Sequence, residues 1–268
     1  MDELWQYERE ALAAGHTSVC GCDEAGAGPL AGPVYAAAVI LAPGTELPGL
    51  NDSKKLTEKK REALFPVIQE RALSWAVAWV DAEEIDRTDI LSARMKAMQL
   101  AIDRLSPPAD FALIDGNRDR GRSAAIITEH RTIVKGDSLS ASIAAASILA
   151  KVSRDRWMVQ AAEEYPQYQF DRHKGYGTKL HYELLRQYGP SPIHRRTFRK
   201  TCERGGQPPP GPVGGGAGGG ISAAERLSDH SCRLAVPLRR AGPGGGAGRV
   251  PLLCRGEAAG ERALRRGS

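Results

Sequence analysis

The chain has 268 residues, of which 37 are basic and 32 acidic, giving a formal net charge of +5. Five cysteines, odd in number and unevenly spread, exclude a disulfide-stapled scaffold, and no apolar run approaches the roughly 18 residues that span a bilayer. The basic balance says little about nucleic acid, because ten arginines against five acids fall in residues 203–268 and leave the remainder neutral.

Residues 2–14 are charged and amphipathic, the pattern of a helix rather than of a secretory signal, so a reducing cytoplasm is expected. Ser18 to Asp23 reads as a strand that ends on Asp23 and Glu24. Cys20 and Cys22 within it lack a second Cys/His pair and read as buried strand residues rather than half a metal site. The Gly/Pro loop AGAGPLAGP leads into a second apolar strand, Val34 to Leu41. The two strands are too close for a crossover helix, which predicts antiparallel pairing and therefore a mixed sheet. After Asn51-Asp52-Ser53-Lys54-Lys55, Thr57 suits a helix N-cap, Glu58 to Arg71 a helix, and Leu73 to Val80 a third strand.

Residues 82–105 have helical periodicity, with Ile90, Leu91, Met95, Met98 and Ile102 on one side. Phe111 to Ile114 is a fourth strand ending at Asp115-Gly116-Asn117. Arg131 to Val134 is a fifth, ending at Lys135-Gly136-Asp137-Ser138. An Ala-rich helix from Ser140 to Glu164 is stopped by Pro166, and residues 178–188 form another helix. Strands followed by helices predict an α/β sandwich. From Glu203 onward the chain holds 17 of the 30 glycines and 7 of the 17 prolines and no Trp, Tyr, Phe or Lys, a composition that cannot bury enough apolar surface to fold. The expected organisation is a folded domain over 1–202 and a disordered Gly/Pro/Arg-rich tail over 203–268, with nonspecific phosphate affinity as the alternative role for its arginines.

Three apolar strands each run into an acid: Asp23-Glu24, Asp115 and Asp137. Ligands of open α/β sheets collect beyond the carboxyl ends of strands. Carboxylates converging there repel one another unless divalent cations neutralise them, and hard oxygen donors without His or Cys favour Mg²⁺ or Mn²⁺. Two such ions clamp the oxygens of a phosphoryl displacement, so the pattern points to a metal-dependent phosphodiesterase. Taken singly, each acid reads as a turn residue or N-cap. Two other motif readings fail. Asp115-Gly-Asn117-Arg-Asp119 opens like a calcium loop, but Arg120 and Ile126 occupy the positions that need Gly and Glu. Gly26-Ala-Gly28-Pro-Leu-Ala-Gly32 suggests a dinucleotide loop, but Pro29, Pro33 and the β-rich run that follows deny it a helix N-terminus.

Over about residues 15–198 the chain resembles the ribonuclease HII family. The likeness rests on Asp23-Glu24-Ala-Gly26-Ala27-Gly28-Pro29, Asn51-Asp52-Ser53-Lys54-Lys55-Leu56, Ile114-Asp115-Gly116-Asn117, Lys135-Gly136-Asp137-Ser138, Ala145-Ala-Ser147-Ile-Leu-Ala-Lys151 and His173-Lys174-Gly175-Tyr176-Gly-Thr178, in that order. The resemblance implies a ribonuclease H-like fold: a five-stranded mixed sheet flanked by helices, with a C-terminal helical extension. It implies that Asp23, Glu24, Asp115 and Asp137 are catalytic acids holding two Mn²⁺ or Mg²⁺ ions. It implies an endonuclease, acting as a monomer, that hydrolyses the RNA strand of RNA/DNA hybrids and cuts 5′ of ribonucleotides embedded in duplex DNA, leaving 3′-hydroxyl and 5′-phosphate ends. Gly26, Ala27 and Gly28 match the segment that reads the ribose 2′-hydroxyl, Tyr176 the tyrosine that stacks on the following deoxyribose, and Lys54 and Lys55 phosphate-binding positions. The sequence departs from the family at Ala27, where Arg or Lys is usual, and at Gly177, where Pro is usual. A protein that grips RNA/DNA hybrids without cutting, and an enzyme of the HIII type, are the alternatives.

Asp155, between Arg154 and Arg156, reads as a structural ion pair, and Ser140, Ser142 and Ser147 as small residues for close packing. A substrate-side and a structural role remain open for His173 and Lys174.

Overall fold

A computed structural model describes residues 3–50 and 56–201; Lys54, Lys55 and the 203–268 segment lie outside the described residues. Five strands form one sheet: β1 (Val19–Ala25), β2 (Val34–Ile40), β3 (Ser74–Val80), β4 (Phe111–Asp115) and β5 (His130–Ile133). Their order is β3-β2-β1-β4-β5. β1 pairs antiparallel with β2 and parallel with β4, so the sheet is mixed as expected. The helices are α1 (Gln6–Ala13), α2 (Glu58–Arg71), α3 (Ala82–Arg87), α4 (Ile90–Asp103), α5 (Ala141–Glu164), α6 (Phe170–His173) and α7 (Lys179–Tyr188).

Side-chain alternation along β1 decides what each face meets. Cys20 and Cys22, both fully buried, pack with Met95 and Met98 of α4. On the other face Gly21 lies so close to α5 that an added Cβ would stand 2.2 Å from the Ser142 carbonyl carbon and the Ile143 nitrogen. That close approach draws α5 across the sheet, where Ala145, Ala146 and Leu149 join Ala37, Val39 and the α2 residues Leu64 and Ile68.

Two expectations need correction and a third needs extending. The single helix over 82–105 is two helices, broken at Thr88–Asp89, because Asp89 caps α4 by accepting from the Ser92 amide at 2.9 Å. The apolar period runs through the break and hides it. β1 continues two residues past Asp23, so its acids sit inside the strand. Its pairing with β4 stops at Cys22↔Ile114, leaving Asp23 and Glu24 beyond that neighbour. Ser140 and Ser142 are polar fixtures as well as close-packing residues: Ser140 caps α5, both hydroxyls donate to the buried Glu8 carboxylate, and Ser142 stands where α5 meets Gly21.

The C-terminal extension packs α6, α7 and the Pro166–Tyr168 turn on Ala31, Tyr35 and Trp157. His173 is buried there, its Nε2 donating to the Tyr168 carbonyl at 2.8 Å and its ring stacked on His181, so its role is structural. No helix among the described residues is long and apolar enough to cross a membrane.

Candidate active site

The cleft lies where β1 outruns β4. Alternation sends adjacent carboxylates to opposite faces: Asp23 toward α5, where Ser147 bonds it, and Glu24 toward α4, where Arg94 pairs with it at 2.5 Å. Asp115, the last residue of β4, completes a group of three carboxylates lining one cleft. Burial, then the neighbouring charges of Glu24 and Asp115, holds the Asp23 carboxyl well above the usual carboxylate range. Burial also raises Glu24, against the opposing pull of Arg94.

Asp137 is placed differently. It is buried on a short turn, Gly136–Ser138, and its amide donates to the Asp115 carboxylate at 3.4 Å. β5 ends at Ile133 and Lys135 adopts a left-handed conformation, turning the chain before Asp137 is reached.

The Gly26-Ala27-Gly28 loop and Tyr176, both expected as substrate contacts, line the same cleft. Gly26 needs its glycine: φ is +95°, and a Cβ would fall 2.0 Å from the Arg154 side chain. The Tyr176 ring, 41 % exposed, lies over Lys151 and Arg154 at 5.7 and 5.8 Å. Sequence reasoning missed several neighbours. Arg61 and Lys151 line the cleft, and Ser147 contacts the acids rather than only packing α5. Asp155 does form a structural ion pair, but with Lys151 at 2.7 Å; Arg154 instead serves backbone carbonyls and Arg156 pairs with Glu62. The i,i+4 spacing of Lys151 and Asp155 was the available signal.

The donor set fits a hard divalent cation. Every donor is a carboxylate oxygen, the three charges repel, and Glu24 Oε2 is buried without a hydrogen-bond partner among the described residues. Among those residues, however, no group of three or more His, Cys, Asp or Glu side chains is already arranged to enclose an ion.

The family model for Ribonuclease HII matches residues 20–201. A curated "Ribonuclease HII" of Geobacillus kaustophilus is 51% identical over 202 residues, 75% of this chain and 76% of the relative. One of Idiomarina loihiensis is 56% identical over 180 residues, 67% of this chain and 94% of the relative. Among solved structures, the ribonuclease H2 of Pyrococcus horikoshii superposes with a TM-score of 0.59 at 29% identity, over 70% of this chain and 98% of that one.

Proposed function

The chain belongs to the ribonuclease HII family and is an endonuclease that hydrolyses the RNA of RNA/DNA hybrids, and from that premise we propose that it also cuts 5′ of single ribonucleotides in duplex DNA, leaving 3′-hydroxyl and 5′-phosphate ends. The observation that carries this reading is the convergence on one cleft of three carboxylates, a glycine loop and an exposed tyrosine.

Enzymes of this family depend on a divalent metal. In our reading, Asp23, Glu24 and Asp115, with Asp137 behind Asp115, hold two Mg²⁺ or Mn²⁺ ions. When bound, such ions neutralise the carboxylates and stabilise the charge that develops on the scissile phosphate. The protein's own groups do the rest. Arg94 fixes one oxygen of Glu24, and the other is buried without a hydrogen-bond partner among the described residues. Ser147 orients Asp23. Arg61 and Lys151 give the cleft positive charge to set against substrate phosphates. Amides of the glycine loop recognise the 2′-hydroxyl that separates ribose from deoxyribose, and the Tyr176 ring packs on the next sugar. A loop built on amides explains how Ala27 is accommodated where the family has a basic side chain: phosphate affinity weakens and ribose reading stays. A monomer working in the cytoplasm is part of the same proposal, as is a phosphate-holding role for Lys54 and Lys55.

The test is an end-labelled DNA duplex carrying one ribonucleotide, incubated with Mg²⁺ or Mn²⁺ beside the Asp115→Asn variant. Cleavage 5′ of the ribonucleotide, abolished by EDTA and by the substitution, is the expected result. Cutting of a long hybrid with no cut at the single ribonucleotide would refute the junction reading.

A further inference from the structure

Two arginines lie fully buried directly behind the glycine loop, and neither forms an ion pair with a described carboxylate. Arg195 donates to the carbonyls of Gly32 at 2.9 Å, Ala27 at 3.1 Å and Gly26 at 2.7 Å. Arg154 donates to those of Pro33 at 3.0 Å, Lys174 at 3.0 Å and Ala31 at 3.1 Å. Burying two unpaired guanidiniums side by side is expensive. Burial, and then the charge of Arg154, pulls Arg195 down to about 9. Satisfying six loop carbonyls does not by itself require this, since carbonyls turned outward would be solvated at no such cost.

What the arrangement does is orient peptides. In a trans peptide the C=O and N–H point in opposite directions. Drawing the Gly26 and Ala27 carbonyls inward therefore turns the N–H groups of Ala27 and Gly28 outward. Both residues line the cleft, and no hydrogen bond from either amide to a described residue is formed. A cation on each carbonyl also polarises its peptide and makes the N–H a stronger donor. Arg154 extends the same frame to Tyr176: it holds Lys174, lies under the Tyr176 ring, and is flanked by a bond from the Leu30 amide to the Gly175 carbonyl at 2.8 Å.

We propose that Arg195, with Arg154 beside it, is a positioning residue that aims the Ala27 and Gly28 amides at the ribose and so sets how strictly the enzyme demands a ribonucleotide. The inference rests on the junction reading above and deepens it.

The test compares wild type with Arg195→Lys, which keeps the charge but cannot fork to three carbonyls. On the single-ribonucleotide duplex KM rises about tenfold while kcat stays within about twofold, and the preference for that duplex over a uniform RNA/DNA hybrid falls about tenfold. A variant that loses thermal stability with KM and preference unchanged would show a merely structural role and overturn the proposal. Because a change at a buried arginine can prevent folding, Gly28→Pro provides a second route: it deletes one of the two amides at an exposed residue and is expected to give the same KM signature. An unchanged preference in Gly28→Pro would overturn the proposal equally. Fluorescence anisotropy of the single-ribonucleotide duplex against an all-DNA duplex, with both substitutions placed in the Asp115→Asn background, reads the same discrimination without cleavage. If wild type cuts neither substrate the proposed activity falls, and this binding comparison still decides the role of Arg195: retained discrimination refutes it, and lost discrimination supports it.

Discussion

Arg94 Nη2 stands 2.5 Å from Glu24 Oε1, while the second oxygen of that carboxylate has no hydrogen-bond partner among the described residues. The pair crosses from α4 to the end of β1 and supplies the cation set against three clustered acids. Replacing Arg94 with Met removes the charge that opposes the upward push of burial on Glu24. The acid limb of the pH–rate profile is therefore expected to move to higher pH, with the plateau rate reduced less than at the limb. A profile measured from pH 5 to 9 that keeps its acid limb would show that Arg94 does not tune Glu24.

Asp23 is buried among like charges, and that strain belongs to function rather than to folding. Asn keeps the oxygen that accepts from the Glu24 amide at 2.7 Å and removes the charge. Asp23→Asn is expected to stabilise the metal-free protein by about 1 kcal/mol, roughly 2–4 °C in melting temperature, while abolishing cleavage. Calorimetry without divalent ions checks it; a lower melting temperature would contradict the repulsion argument.

Gly21 admits no side chain, because its Cβ would meet α5 backbone that cannot move aside without leaving the sheet. Gly21→Ala is expected to cost about 3 kcal/mol, or roughly 6–12 °C. Chemical denaturation showing less than about 1 kcal/mol would mean that α5 shifts freely.

The buried imidazoles predict a stability dependence on pH. The Ser191 amide donates to His194 Nδ1, so His194 Nε2 donates to His181 Nε2 at 2.9 Å and His181 Nδ1 donates to the Tyr176 carbonyl at 2.9 Å. Burial brings His181 down to about 4 from its ordinary 6.5. Between those values the unfolded chain binds a proton that the folded chain refuses, so stability is full above about pH 6.5 and declines toward pH 4. His173, lowered by burial as well, acts in the same sense, whereas Asp23, raised when folded, acts in the opposite one. Comparing urea midpoints of wild type and His181→Gln cancels the shared Asp23 contribution. The gap between them narrows as pH falls from 7 to 5; a constant gap would rule out the relay's neutral state as its source.

Much of the architecture was legible in the chain because local rules wrote it. Short apolar runs between turn residues marked five strands, Thr57 capped its helix, and the short link between the first two strands forced antiparallel pairing. The break before Ile90 was not visible, since one Asp cap carries less signal than a continuous apolar stripe.

The acids were legible as residues at strand ends and the glycine loop as a place where backbone can approach a ligand, whereas Tyr176 was picked out only by the resemblance to the family; Asp23, Glu24, Asp115, the loop and Tyr176 all line one cleft. What only the tertiary structure decided was which groups face them. Arg94, Ser147, Arg154 and Arg195 come from helices and turns distant in the chain, and nothing in their local spacing announces a partner. Local propensity acts over a few residues, whereas desolvated charges find one another only once the sheet has brought their elements together. The contact of the Asp137 amide with the Asp115 carboxylate was decided in the same way, by a turn geometry that the sequence does not encode on its own.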